Sequence, residues 1–157
     1  MSKFQLKNFF KASYDLMLVF LQFFIISLHF FQWEFLPQKQ IIQASPFSYL
    51  LGILIIIIAF IIMLVSIKDL GRNLSPFPRP INNSNLVTTG IYRFARHPMY
   101  YSLIFISIGV FIIKLSFYHL FLTISLALII KFKIVLEEKY LINKFKNYLL
   151  YKNEVKI

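Results

Sequence analysis

The residues with chemistry to offer fall in two short runs. Arg93, Arg96, His97 and Pro98 form the first, and Glu137-Glu138 the second, about forty positions later. Pro98 suits the first turn of a helix, where its missing N–H costs nothing. The free N–H groups of such a turn favour an anion. Two carboxylates opposite these donors can accept bonds from hydroxyl or ammonium groups. Such a set can hold a polar cofactor. Each residue also has a plainer role: arginines anchor the cytoplasmic ends of membrane spans, a histidine caps a helix, and paired glutamates form solvated interface charges.

The elements that must position these residues are apolar. Of 157 residues, 59% are hydrophobic and 15% charged, with a mean hydropathy of +0.71. Soluble domains carry about 25% charged residues, so the sequence predicts an all-α integral membrane protein in a single membrane domain. The absence of cysteine excludes a disulfide framework and Cys-based zinc or redox sites. Apolar runs predict four membrane helices at 14–33, 47–67, 99–113 and 117–136, the last two a hairpin. They leave 68–97 and 137–157 as cytosolic segments. The long 68–97 loop carries Pro76, Pro78 and Pro80, and loops of this length are usually functional. From Glu137, the spacing of Tyr140, Leu141, Phe145, Tyr148 and Leu149 predicts an amphipathic interfacial helix. Tyr148 and Tyr151, three apart, read as the packing face of that helix.

The net charge of +11 reads as membrane orientation, with no nucleic-acid partner. Four spans place 15 of the 17 Lys and Arg residues on the side of the termini and the long loop, leaving Lys39 and Lys114 opposite. The positive-inside rule makes that side cytoplasmic. Both ends of the hairpin then meet at the cytoplasmic face, which brings Arg93, Arg96, His97, Glu137 and Glu138 together beside lipid. His29 and His119 fall towards the opposite interface, and Asp15 reads as an interface residue.

Tyr92-Arg93-Phe94-Ala95-Arg96-His97-Pro98-Met99-Tyr100 resembles the Arg-His-Pro-x-Tyr signature of the isoprenylcysteine carboxyl methyltransferases and their phospholipid methyltransferase relatives. Leu86 to Arg93 and Gly71 to Pro76 are also similar to that family, and Glu137-Glu138-Lys139-Tyr140-Leu141 is similar to its Glu-Glu-x-x-Leu motif. The resemblance implies S-adenosylmethionine as methyl donor, held by His97, Pro98, Tyr100, Glu137 and Glu138. It implies no metal, no covalent intermediate and a lipophilic acceptor: a prenylated cysteine, a phospholipid amine, or a quinone-like or isoprenoid compound. The setting it implies is the bacterial inner membrane, among membrane lipids.

Several positions depart from the family pattern. Ser102 stands for Gly, Ile91 for Pro and Lys133 for Arg, the tail motif lacks its Gly at Lys146-Asn147, and Glu154 stands for a late Arg. With that Arg missing, Arg96 and Lys133, supported by Arg93, are the expected catalytic cations, neutralising an anionic or developing oxyanion group on the acceptor. This favours O-methyl transfer. Two other function classes stay open. One is an NADPH-dependent enzyme like the sterol reductases, against which a carboxylate pair beside a 2′-phosphate argues. The other is a non-catalytic protein whose tail lysines bind anionic lipid.

Overall fold

The fold was read from a computed structural model, which describes residues 3–31, 41 and 43–156, with side chains from Ser13 onward. The described residues are helical and contain no strand. The helices are α1 (Lys3–Leu28), α2 (Pro46–Leu70), α3 (Pro98–Lys114), α4 (Phe117–Lys144) and α5 (Tyr148–Glu154), with single 3-10 turns at Gly71–Asn73 and Gly90–Arg93. The expected end of the first span at Trp33 and the connection carrying Lys39 lie outside the described residues.

Local sequence sets the helix starts. Ser45 caps α2: its hydroxyl accepts from Ser48 N at 3.2 Å, the Ser48 hydroxyl accepts from Ser45 N at 3.0 Å, and Pro46 opens the helix. This reciprocal pair satisfies two orphan donors. Between α3 and α4, Leu115 turns the chain in the left-handed region (φ 42°), and the Ser116 hydroxyl accepts from His119 N.

α2 and α3 pack with their backbones in contact. A Cβ on Gly52 would lie 2.7 Å from the Gly109 carbonyl oxygen, and one on Gly109 would lie 2.8 Å from that of Gly52. Small residues drive helix pairs together where lipid supplies no hydrophobic force between them. Ser102 is fully buried on α3, and its hydroxyl donates to Met99 O at 2.7 Å. α1 packs on α4, and Ile25, Tyr100, Leu122, Leu126 and Ile130 form the core among α1, α3 and α4. The outer face of α2 leaves Phe47, Leu50, Ile53, Ile57, Ile61 and Leu64 exposed, a surface suited to a hydrocarbon surround.

Among the described residues, two helices are long and apolar enough to cross a membrane: Pro46–Asn73, which takes in the first 3-10 turn, and Phe117–Lys144. Ser13–Leu28 and Pro98–Lys114 are apolar but shorter. One boundary departs from expectation. α4 does not stop at Leu136; it continues to Lys144, because Glu137 to Lys144 contains no breaker and good helix formers. A hydrocarbon core takes about 20 residues, which Phe117 to Leu136 supply. The polar stretch from Glu137 extends beyond that apolar part, and a separate helix, α5, begins only at Tyr148.

Candidate functional site

The turn entering α3 carries the first run. Gly90 adopts φ 62°, and Asp69 at the end of α2 accepts from Ile91 N at 2.8 Å. A Cβ on Gly90 would fall 2.0 Å from the Asp69 carboxylate, so only glycine lets this bond form. The anchored turn presents Tyr92, Arg96 and His97 to the end of α4. The Tyr92 carbonyl accepts from Tyr151 Oη at 2.6 Å, which docks α5.

The two motifs meet. Arg96 Nε donates to Glu138 Oε1 at 3.0 Å, and Arg96 Nη1 donates to the Val155 carbonyl. Lys152 Nζ donates to Glu138 Oε2 at 2.6 Å. Glu138 therefore joins the start of α3, the end of α4 and α5 in one ion-paired node. His97 Nε2 lies 3.5 Å from Glu138 Oε1, a longer contact than those of Arg96 and Lys152. Glu137 points elsewhere: its Oε2 accepts from Tyr100 Oη at 2.7 Å.

Adjacent carboxyls are thus tuned in opposite directions. The His97 ring first, then Lys152 and Arg96, hold Glu138 down at about 2, against the desolvation that opposes ionisation. Burial pushes Glu137 up, resisted by His97, Tyr100 and Lys133. Burial also raises the phenols of Tyr92 and Tyr148, and that of Tyr151 to about 12, so all three remain donors at neutral pH.

A cavity lies between this node and the 73–87 loop. Arg96, His97, Tyr100 and Glu137 line it on the helix side, Tyr92, Tyr148 and Tyr151 at the base, and Phe77, Leu86 and Val87 on the loop side. Two polar atoms of its lining residues are buried: Tyr148 Oη has no hydrogen-bond partner, and His97 Nε2 has only the Glu138 carboxylate, 3.5 Å away. Such groups cost free energy unless something pairs with them. The wall therefore fits a ligand with a polar group at Tyr148 and a hydroxyl or ammonium group at Glu137.

Of the residues expected at the site, Arg96, His97, Tyr100 and Glu137 reach the cavity wall. Pro98 lies behind it as the first residue of α3, and Glu138 is spent on Arg96 and Lys152. Lys133 also lies off the wall. It is 1% exposed, and its ammonium donates to Gln22 Oε1 and to Pro76 O at 3.0 Å, 5.1 Å from the centre of the Tyr100 ring. Expected to face an acceptor anion, Lys133 instead has its ammonium held by Gln22 and the Pro76 carbonyl. Arg93 is exposed and rests on the Phe94 ring. Sequence reasoning missed Tyr92, and it gave Tyr148 and Tyr151 a packing role only. It also missed Gln22, although Asp15, Gln22 and His29 recur every seven residues in an apolar helix, a spacing that marks one helix face.

An apolar helical bundle thus brings the cationic and carboxylate motifs together at one end of a helical hairpin. The family model for phospholipid methyltransferases matches residues 47–148, about two thirds of the chain. The chain belongs to that family, within the isoprenylcysteine and phospholipid methyltransferases. No curated protein and no solved structure matches it.

Proposed function

We propose that this chain is an S-adenosylmethionine-dependent methyltransferase that modifies a lipophilic acceptor at the cytoplasmic face of a bacterial inner membrane. The supporting observation is a cavity that both family motifs build, with Tyr148, whose buried hydroxyl has no hydrogen-bond partner, and His97 among its lining residues. When bound, S-adenosylmethionine supplies a methyl group on a sulfonium centre. The chain's own part is to bind, orient and keep water out. Glu137, with Tyr100 fixed on Oε2, keeps Oε1 for ribose hydroxyls or the methionine ammonium. His97 and Tyr148 satisfy further polar atoms. Phe77, Leu86 and Val87 close the loop side. Orientation and water exclusion provide most of the rate in such a displacement. An NADPH reading finds less support, since Glu137 would repel a phosphate.

For the acceptor, the charges favour nitrogen over the oxygen expected from sequence. An acceptor carboxylate needs a desolvated cation beside it. Arg96 is committed to Glu138 and the Val155 carbonyl, and Lys133 to Gln22 and Pro76. A neutral amine, such as that of a phospholipid headgroup, needs no such cation, and Glu137 or water can take its proton. The test of the cofactor is calorimetry on detergent-purified protein. Wild type binds S-adenosylmethionine and not NADPH, and His97→Ala weakens binding roughly ten- to a hundredfold. No binding at millimolar S-adenosylmethionine contradicts the reading.

A further inference from the structure

α1 lies outside the matched family segment, yet it grips the cavity wall at two points. Its buried stripe runs Asp15, Leu18, Gln22, Ile25. Asp15 Oδ2 lies 3.1 Å from Arg79 Nη2, and Arg79 lines the cavity. Arg79 also stacks over Tyr140 of α4, 5.5 Å from the ring centre, and Tyr140 Oη donates to Asp15 Oδ1 at 3.4 Å. Two turns further along the same face, Gln22 accepts from Lys133 Nζ, which donates in turn to the Pro76 carbonyl. Asp15 thus holds one end of the Pro76–Pro80 stretch directly, and Gln22 holds the other through Lys133. Lys133 packs against the Tyr100 ring, and Tyr100 fixes Glu137. A buried ammonium without acceptors is costly, and Gln22 and the Pro76 carbonyl supply the acceptors of Lys133.

We propose that Asp15 and Gln22 are positioning residues: α1 clamps the Pro76–Pro80 segment over the cavity, and cofactor affinity depends on that clamp. The cofactor part rests on the methyltransferase reading above. Two measurements on the full-length protein in detergent test the proposal: amide hydrogen exchange across residues 73–87 without ligand, and calorimetric affinity for S-adenosylmethionine. Asp15→Asn and Gln22→Leu each raise exchange in 73–87 and weaken the cofactor about tenfold. Gln22→Glu keeps an acceptor for Lys133 and stays close to wild type. Leu18→Ala, on the same buried stripe but without a polar contact, lowers Tm and leaves both readouts near wild type. If Leu18→Ala matches Gln22→Leu, α1 acts by packing alone and the proposal falls. It also falls if the two polar variants change neither readout. Faster exchange in those variants, with no cofactor bound by wild type, keeps the clamp and removes the cofactor reading. Should Gln22→Leu fail to fold, Asp15→Asn carries the same comparison.

Discussion

Glu137 and Glu138 are neighbours in sequence with opposite duties. Glu138 is a structural carboxylate held ionised by cations, whereas Glu137 is a half-buried carboxyl that lines the cavity. The sequence showed the pair and its meeting with His97. It did not show which member faced the cavity, because that depends on where α5 brings Lys152. Glu138 has an ordinary value of 4.5 and a folded value of about 2. Its stabilising contribution is therefore complete above about pH 4.5 and is lost as pH falls towards 2. Unfolding of Glu138→Gln, followed in detergent between pH 5 and 2.5, is expected to show a shallower acid dependence than wild type; parallel curves contradict the node. Tyr148 gives a second residue-scale prediction. Tyr148→Phe removes a buried hydroxyl that has no partner in the free protein, so it leaves Tm unchanged or raises it. It weakens S-adenosylmethionine several-fold, as loss of a neutral hydrogen bond of about 1 kcal/mol does. A lower Tm with unchanged affinity would assign Tyr148 to packing.

At the scale of elements, the hairpin was legible because Pro98 marks a helix start and a break near Lys114 separates two apolar runs. The end of α4 was not, because change of composition at Glu137 is not a change of helix propensity. The clamp was hidden for a different reason. Lys133 sits four residues before Glu137 and so shares its helix face, but its real acceptor is a carbonyl in a proline-rich loop, and no sequence pattern marks that partner. The α2–α3 contact makes its own prediction. Gly109→Ala places a methyl against the Gly52 carbonyl and the Ile56 side chain. Backbone cannot yield as a side chain does, so the variant loses about 1–3 kcal/mol, read as a lower Tm in detergent. An unchanged Tm would mean that the helices do not touch there.

Across the whole molecule, the distribution of Lys and Arg proposes four membrane-embedded helices with both termini cytoplasmic. Two of these, Pro46–Asn73 and Phe117–Lys144, have the length to cross. α3, at 17 residues, reaches about 26 Å, short of a core about 30 Å thick. It gains cover by packing along α2 over its length. Reporter fusions after Lys114 are expected to read outside, and fusions after Arg79 and Ile157 inside; an inside signal at Lys114 would break the hairpin topology. The family and the place of its motifs were legible from sequence because residues local to each motif carry them. The cavity's closed side was not, since it depends on α1 meeting a loop some sixty residues away. The most direct test of the central claim is transfer of a labelled methyl group from S-adenosylmethionine into a membrane lipid extract by the purified full-length protein. Label is expected in a lipid product with wild type, an amine by its chemistry, with at least a tenfold slower rate for His97→Ala. No label in the lipid phase with correctly folded wild type, or equal labelling by His97→Ala, would contradict it.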